Sequence, residues 1–357
     1  MKRNKAAIGA AGALALALLA TGCSGGAGKD SSASAASVTV ENCGEQVTYN
    51  YPVTKLFVND GNIISIALAA GAANQITAVS SLQRDKDVLS LKYGDAVGEL
   101  KQVAEKYPSL ENVIAADPQV MFAGWGYGFK ESDGLTPDQL AEKGIKTYLL
   151  SETCRQADGN RGTMEPWNAL TTDISNIGEI TGNKQTAQDT VADIEARVKA
   201  LESAQRAEQM PKAFLFDSAS ETIFSSGRFG APQAMMNSAG VSNVLSDVDD
   251  TWTTVSWERL ANSDPDIIFF VDYPGQSYEE KINALESNPA SQNLKAVKEK
   301  RYVNLPYAMW TSGPLNVDGA EYIRQALEHW NLQPASDIKP GMDITKLSDL
   351  PGNEWLR

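Results

Sequence analysis

The feature that most constrains the fold is a repeated alternation of short apolar runs with helix-like segments. In the first half of the chain, strand-like runs and helix-like segments follow one another: "KLFVN", "IISIALAAG", "ITAVS", "SLENVIAA", "PQVMFAG", "TPDQLAEKG" and "KTYLL". The pattern resumes after Pro211: "KAFLFD", "PQAMMNSAG", "PDIIFFVD", "YVNLP" and "VDGAEYIRQALEHW". Such alternation predicts mostly parallel sheets with helices on their faces, an α/β fold.

A helical stretch separates the two halves. Residues 165–208 have helical character and are interrupted at "TGN" (181–183), and apolar residues then recur at steps of three and four. About 24 helical residues span about 36 Å, the width of a lobe. We therefore predict two Rossmann-like α/β lobes joined by a single long backbone helix. The predicted segments are an N-terminal lobe at 38–166, linking helices at 167–210, a C-terminal lobe at 211–335 and a tail at 336–357.

The first residues are typical of an exported protein. Three basic residues precede an apolar stretch of the length that a signal peptide needs. The stretch ends in "LLATGCSGG", which resembles a bacterial lipobox, so we predict a signal peptide at 1–22 and a lipid anchor on Cys23. An ordinary secretory signal is the alternative. Residues 23–37 then form the anchor and a flexible Ser/Ala/Gly tether.

Charge and cysteine content agree with export. The formal net charge is −14, and removing Lys2, Arg3 and Lys5 with the leader makes it −17, which disfavours nucleic acid as a partner. Cys43 and Cys154 remain after lipidation of Cys23. Two thiols in an oxidising compartment indicate one disulfide, with two free buried thiols as the alternative.

Several linked motifs carry a resemblance to a known family. They include "SLENVIAADPQVMFAG", "NIGEITGNKQTAQDTVADIEARVKAL", "TVSWERLANSDPDIIFF" and "LPYAMWTSGPLNVDGAEYIRQAL". In this order they resemble the helical-spine substrate-binding proteins of ABC importers, which capture ferric siderophores, haem or cobalamin, over residues 38–330. The resemblance implies a class III periplasmic-binding-protein fold with the ligand held between two lobes. "ENCG" and "SETC" resemble an actinobacterial lipoprotein branch whose members are labelled for siderophores, cobalamin or a deazaflavin (F420) precursor.

The stretch "MFAGWGYGF" (121–129) offers aromatic side chains where a ligand is expected. In α/β sheets, ligands sit outside the carboxyl ends of the parallel strands, so Trp125, Tyr127 and Phe129 should lie at the mouth of the cleft. The alternative is a turn whose aromatics pack back onto the lobe. A dinucleotide fingerprint is disfavoured, since its third glycine is replaced by Phe129.

Further candidates follow other strand ends. The arginines among them suit anionic groups on a ligand, and we expect Trp125 and Trp310 to face each other across the cleft. The remaining candidate ligand-binding residues are Asp60, Asn62, Arg155, Ser226, Arg228, Phe229, Trp252, Tyr273, Tyr307 and Trp310.

The sequence contains no recognisable metal-binding or catalytic motif, although carboxylates are plentiful and a glycosidase-like pair of them stays open as an alternative. His329 is the one histidine, whereas receptors for free transition-metal ions use several. No catalytic residues and no resident cofactor are predicted, and a metal should arrive inside an organic chelator, ferric iron in a siderophore being the first choice. A surface adhesin or partner-binding lipoprotein and an anchored enzyme are the alternatives.

The resemblance also implies a membrane partner. In the relatives, one glutamate on each lobe pairs with arginines of the ABC permease, which works with a cytoplasmic ATPase. Glu258 in "VSWERL" matches the C-terminal position, whereas Ser65 stands at the N-terminal one, so docking is asymmetric or uses another acid. The protein is expected to be a monomer held outside the cytoplasmic membrane by its anchor alone.

Overall fold

A computed structural model of the chain describes residues 36–356. The predicted signal peptide at 1–22, the lipid anchor at Cys23 and most of the tether lie outside the described residues. Within the described part, no helix combines the length and the apolar character needed to cross a bilayer.

The N-terminal lobe is built on a six-stranded sheet with the core order β5-β4-β3-β6, β8 pairing with β6. Its elements, with a preceding antiparallel hairpin, are β1 (Ser37–Asn42), β2 (Glu45–Asn50), β3 (Leu56–Asn59), α1 (Gly61–Ala69), β4 (Ile76–Ser80), α2 (Lys86–Tyr93), α3 (Asp95–Gly98), β5 (Gln102–Ala104), α4 (Leu110–Ala116), β6 (Val120–Trp125), β7 (Gly128–Phe129), α5 (Pro137–Ala141) and β8 (Lys146–Leu149). The strands β3, β4, β5, β6 and β8 run parallel to their neighbours.

Two helices follow, α6 (Pro166–Thr181) and α7 (Lys184–Ser203). Gly182 closes α6 in the left-handed conformation, with φ of 81°, which explains the predicted break. Helix α7 has 20 residues, about 30 Å at 1.5 Å per residue, so it is shorter than expected. It ends at Ser203 because Ala204 turns extended. Along α7, Ala187, Ile194 and Leu201 are buried, which is the predicted apolar stripe.

The C-terminal lobe contains a four-stranded parallel sheet, order β12-β9-β14-β15, and a three-stranded antiparallel sheet, order β10-β11-β13. Its elements are β9 (Lys212–Phe216), β10 (Ser218–Ala219), β11 (Ile223–Ser226), α8 (Ala231–Ala239), β12 (Ser242–Asn243), β13 (Trp252–Val255), α9 (Trp257–Ser263), β14 (Ile267–Asp272), α10 (Tyr278–Ser287), α11 (Lys295–Lys298), β15 (Tyr302–Pro306), α12 (Tyr307–Trp310) and α13 (Leu315–His329). The predicted α/β class with two lobes is confirmed.

The tail packs on the C-terminal lobe. Strand β15 is at the edge of its sheet, and the Asn353 side chain covers that edge by donating to the Asn304 carbonyl oxygen at 2.6 Å. Trp355 packs against Trp330, with ring centroids 5.8 Å apart. The tail thus shields an edge that would otherwise present unpaired backbone groups.

The Cys43–Cys154 disulfide is present, with Cα atoms 5.2 Å apart and a sequence separation of 111. It joins the turn between β1 and β2 to the segment that follows β8. The N-terminal hairpin is thereby fixed to the segment that follows β8, the last strand of the N-terminal sheet.

Candidate ligand-binding cleft

A cavity of about 290 Å³ lies between the two lobes. Most of its lining residues come soon after the carboxyl ends of parallel strands, where α/β folds place ligands. The lining residues are Arg84, Tyr107, Gly126, Tyr127 and Arg161 from the N-terminal lobe and Ser218, Asp217, Phe224, Trp252, Tyr273 and Tyr307 from the C-terminal lobe. Both sheets therefore direct the same edge toward one space.

The small antiparallel sheet supplies an aromatic wall. Phe224 on β11 stacks on Trp252 at the start of β13, with ring centroids 5.9 Å apart and planes 25° apart. Phe224 is 38% exposed. The indole Nε1 of Trp252 is buried beside the Glu152 carboxyl, so this wall offers flat apolar faces.

Arg84 crosses the cleft from the opposite side. Its guanidinium lies over the Tyr307 ring at 3.8 Å and over the Tyr273 ring at 5.7 Å, which is cation–π geometry. It also pairs with Asp60 and Asp85. Burial opposes the charge on Arg84, but the neighbouring Asp60 carboxylate more than compensates, so the pKa of Arg84 is raised.

Asp60 holds this arrangement in place. It caps α1 by accepting from the Gly61 backbone N–H at 2.8 Å, and it accepts from the Tyr107 hydroxyl at 2.9 Å. Its φ of 77° lies in the left-handed region, where a residue other than glycine is strained. The backbone of Asp60 is thus strained at the position from which its carboxylate holds two cavity residues, Arg84 and Tyr107.

Arg161 is the second cation of the cavity, and its contacts are long. It donates to the Trp125 carbonyl at 3.5 Å and to the Trp252 carbonyl at 3.4 Å, and its Nε lies 3.8 Å from an Asp250 carboxylate oxygen. Close by, the buried Glu152 carboxyl lies beside the Ala231 backbone N–H and the Trp252 indole N–H, without reaching normal hydrogen-bond geometry. Burial raises the pKa of Glu152 to about 7, and Arg161 lowers it only in part.

The polar side chains that line this cavity are mainly tyrosine hydroxyls and guanidinium groups. Burial, with the neighbouring Glu152 and Asp60 carboxylates, raises the pKa of Tyr127 and Tyr307 well above the usual phenol value, so both hydroxyls stay protonated. Among residues 36–356, no three His, Cys, Asp or Glu side chains group as metal ligands. The site offers aromatic faces, phenol donors and guanidinium groups, which suit a flat or oxygen-rich ligand.

Four of the residues singled out from the sequence line the cavity. They come from both lobes: Tyr127, Trp252, Tyr273 and Tyr307.

Two aromatic candidates are core residues instead, which corrects the expectation that they face a ligand. Phe129 is fully buried among the side chains of the first sheet. Trp310 is also fully buried, and its indole N–H donates to the Phe270 carbonyl at 3.0 Å. Their positions after strand ends did not reveal that the short β7 and α12 segments turn these rings inward.

Trp125 and Arg155 face a different groove, which we call the outer groove. It has a volume of about 560 Å³ and lies between the β1–β2 turn, α5 and β8. The Arg155 guanidinium lies 3.7 Å from the Trp125 ring centroid and pairs with Glu131. Trp125 and Trp310 therefore do not face each other across the cleft, contrary to expectation.

The glycine at 126 explains this divergence along "GWGYG". Gly126 has φ of 78°, and a Cβ there would lie 3.0 Å from the Arg161 guanidinium. The turn at Gly126 sends Trp125 to the outer groove and Tyr127 into the cavity.

The remaining candidates do not line the cavity. Asn62 is buried and donates to the Ser312 carbonyl at 2.8 Å, which links the two lobes. Ser226 is buried and donates to the Thr251 carbonyl at 2.8 Å. Arg228 is exposed, pairs with Asp249 at 3.1 Å and lies over the Phe229 ring.

Besides Gly126, which lies in the stretch singled out above, sequence reasoning missed six lining residues. Arg84, Tyr107 and Asp217 follow the ends of β4, β5 and β9, so the strand-end rule applied to every strand would have found them. Phe224 and Ser218 belong to short antiparallel strands with weak patterns. Arg161 reaches the cavity only through the shape of a loop, which has no local signal.

The two positions expected to contact a permease differ in exposure. Glu258 is exposed in the first turn of α9. Ser65 is fully buried in α1, where its hydroxyl donates to the Asn62 carbonyl at 2.6 Å. The described face of α1 therefore offers no acid at that position.

Comparisons with known proteins agree with this geometry. Residues 59–308 match the family model described as "Periplasmic binding protein". A periplasmic binding protein from Veillonella parvula aligns with a TM-score of 0.69 and 19% identity, covering 82% of this chain and 97% of its own. A protein of an ABC-type Fe³⁺-hydroxamate transport system from Saccharomonospora viridis gives a TM-score of 0.65 and 21% identity, covering 81% and 98%.

The molybdate-binding protein MolA of Haemophilus influenzae gives a TM-score of 0.64 and 19% identity, covering 83% of this chain and 92% of its own. A search of curated protein sequences finds no significant match. These similarities concern the fold, since the identities are low.

Proposed function

The chain belongs to the periplasmic binding protein family, and we propose that it captures a bulky metal chelate for an ABC importer. Among such chelates, a ferric siderophore is the ligand that we propose. Proteins of this family bind small molecules outside the cytoplasmic membrane and work with ABC permeases. The proposal concerns the ligand and the way in which this chain meets its membrane.

The observation that carries the proposal is the aromatic cavity between the lobes, which contains two guanidinium groups from the N-terminal lobe. Arg84 is balanced by two carboxylates, whereas Arg161 has only long contacts. A ferric siderophore presents oxygen acceptors and often aromatic or flat chelating groups, which match phenol donors, guanidinium groups and the Phe224–Trp252 wall.

The size of the ligand is supported by an adjoining groove. The cavity of about 290 Å³ is at the lower limit for small-molecule sites. A polar groove of about 400 Å³ shares Ser218 and Phe224 with it, so a ligand larger than the cavity has room to extend. Cobalamin, haem and a deazaflavin precursor are the alternative ligands.

We further propose that no chemistry occurs in this protein and that it has no resident cofactor. Any metal is cargo and arrives inside its chelator. The protein is a monomer that is tethered to the outer face of the cytoplasmic membrane through Cys23. An adhesin-like or enzymatic role remains the distant alternative, because the site described above is a cleft without clustered metal ligands.

The proposal is tested by titrating the purified protein with ligands while intrinsic tryptophan fluorescence is recorded. The panel contains a ferric trihydroxamate, a ferric triscatecholate, haem, cobalamin, a deazaflavin and molybdate, and calorimetry measures the affinity of each compound that quenches. We expect saturable binding of a ferric siderophore in the micromolar range or tighter. Saturable binding of molybdate alone, or of none of the panel, would overturn the proposal of a bulky chelate.

Docking is proposed to depend on Glu258. Replacing Glu258 by Ala should lower ligand uptake in cells while the affinity of the purified protein is unchanged, since the residue is exposed and remote from the cavity lining. Glu221→Ala, at another exposed acid of the same lobe, is the control. Uptake by Glu258→Ala at the wild-type rate would refute this docking role.

A further inference from the structure

The segment from Cys154 to Gly162, which we call the strap, forms a closed loop between β8 and α6. Its two ends meet, because the Gly162 N–H donates to the Cys154 carbonyl at 2.9 Å. Within it, the Gln156 N–H donates to the Asn160 carbonyl at 2.7 Å. The backbones of Arg155 and Arg161 form an isolated antiparallel β-bridge across the loop. The strap is therefore a small hairpin that is held by its own backbone hydrogen bonds.

The first residues of the strap are fixed to the N-terminal lobe. Cys154 is bonded to Cys43 in the β1–β2 turn. The next residue, Arg155, stacks on Trp125 and pairs with Glu131. Since Glu131 is largely exposed, that ion pair stabilises little, and the disulfide is the strong attachment.

The rest of the strap contacts the C-terminal lobe. The Gln156 side chain donates to the Asp249 carbonyl at 3.4 Å, and Arg161 reaches Trp252 and Asp250. Gly162 has φ of 98°, and a Cβ there would lie 2.2 Å from the Phe229 Cβ. The strap thus bridges the two lobes along one side of the cavity.

Beneath the strap, polar groups from the two lobes lie close together. The buried Glu152 carboxyl precedes the strap, and it lies beside the buried Trp252 indole N–H of the C-terminal lobe, without reaching normal hydrogen-bond geometry. Arg161 lies beside them and lines the cavity. A small shift of the strap would therefore change the positions of the Arg161 guanidinium and the Trp252 indole on the cavity wall.

We propose that the strap is a disulfide-anchored closure that holds the lobes together at one side of the cleft and positions Arg161 on the cavity wall. The disulfide then has a role in the site as well as in stability. The consequence for ligand retention rests on the proposed function, whereas the closure itself does not.

Hydrogen–deuterium exchange on the purified chain without ligand tests the closure. In a Cys43→Ser/Cys154→Ser variant, we expect backbone amides of the strap and of residues 247–252 to exchange at least about threefold faster. Strand β14 (Ile267–Asp272) makes none of the strap contacts described above and is the internal reference, so exchange at 247–252 should accelerate more than exchange in β14. Unchanged exchange at 247–252 with a freed strap would overturn the proposal.

A second variant covers the case in which loss of the disulfide loosens the whole fold, seen as faster exchange in β14. Gln156→Ala/Arg161→Gln leaves the disulfide intact and removes the polar side-chain contacts of the strap to the C-terminal lobe. We expect faster exchange at 247–252 with β1, β2 and β8 unchanged, and wild-type exchange at 247–252 would contradict the closure. Lys300→Gln, which breaks the Lys300–Glu286 ion pair within the C-terminal lobe and outside residues 247–252, is the control and should leave exchange at 247–252 at the wild-type rate.

The two proposals can fail separately. Faster exchange without binding of any panel ligand would leave the strap as a closure and refute the proposed ligand. Ligand binding with unaltered exchange in both variants would support the proposed ligand and refute the closure.

Discussion

At the residue scale, the buried carboxyl of Glu152 is the least expected feature of the cleft. A buried carboxylate that is only weakly hydrogen-bonded is costly, and the group responds by a shift in pKa. Glu152 is 1% exposed, and burial raises its pKa to about 7. Its position between Arg161 and Trp252 makes it sensitive to any movement of the strap.

The pH dependence of stability should reveal this group. The folded pKa of about 7 lies above the unfolded value of about 4.3, so the folded state binds more protons and the free energy of unfolding falls as pH rises between these values. Glu152→Gln removes that loss. We expect the decrease in stability from pH 5 to pH 8 to be smaller in the variant by about 2 kcal/mol.

Chemical denaturation at the two pH values measures the difference. Asp85 and Asp173 also have pKa values raised to about 7 by burial, so the informative quantity is variant minus wild type. Glu221→Gln, at an exposed carboxylate, should match wild type. Parallel pH profiles for wild type and Glu152→Gln would show that Glu152 does not titrate in this window.

At the element scale, the junction between α6 and α7 depends on one glycine. Gly182 has φ of 81°, and a Cβ there would find its nearest contact at 3.5 Å, so space is available and only the backbone conformation is at issue. We expect Gly182→Ala to lower the free energy of unfolding by about 1 to 2 kcal/mol.

Gly98→Ala is the matched control for this substitution. Gly98 ends α3, its φ is not positive and nothing lies within 4 Å of a Cβ there. Alanine should be neutral or slightly stabilising at that position. Equal denaturation midpoints for Gly182→Ala and wild type would contradict a conformational requirement at 182.

Elements with strong apolar patterns were predictable from the sequence. The buried strands β3, β6, β9 and β14 read as continuous apolar runs because parallel strands are covered on both faces. Helix α10 was missed, although Ser277 and Glu280 form a capping box at its start. The site was harder to predict, because sequence places a residue near a strand end but not the direction of its side chain, as Trp125 and Tyr127 show.

At the scale of the whole molecule, the disulfide closes a long loop of the N-terminal lobe. Its sequence separation is 111 residues, for which loop entropy gives about 4 to 5 kcal/mol as an upper figure. We expect Cys43→Ser/Cys154→Ser to unfold with a free energy about 2 to 5 kcal/mol lower. Equilibrium denaturation at equal pH measures this loss, and a change below about 1 kcal/mol would be inconsistent with it.

Two lobes with opposed sheet edges account for how a scaffold of this kind recognises a ligand. The cavity wall is assembled from strand ends that are far apart in sequence, and Arg84 and Arg161 approach from one lobe while Trp252 approaches from the other. In our proposal, binding therefore depends on the relative position of the two lobes. We assign the role of maintaining that position to the linking helices and the strap.

A matched pair of tryptophan variants shows whether the cavity between the lobes holds the ligand. Trp252 lines the cavity and Trp125 lines the outer groove. Calorimetry should compare Trp252→Phe and Trp125→Phe with wild type, using the panel compound that binds wild type most tightly. We predict at least a tenfold loss of affinity for Trp252→Phe, about 1.4 kcal/mol, and less than a twofold change for Trp125→Phe. The reverse order, or wild-type affinity in both variants, would contradict a ligand site between the lobes.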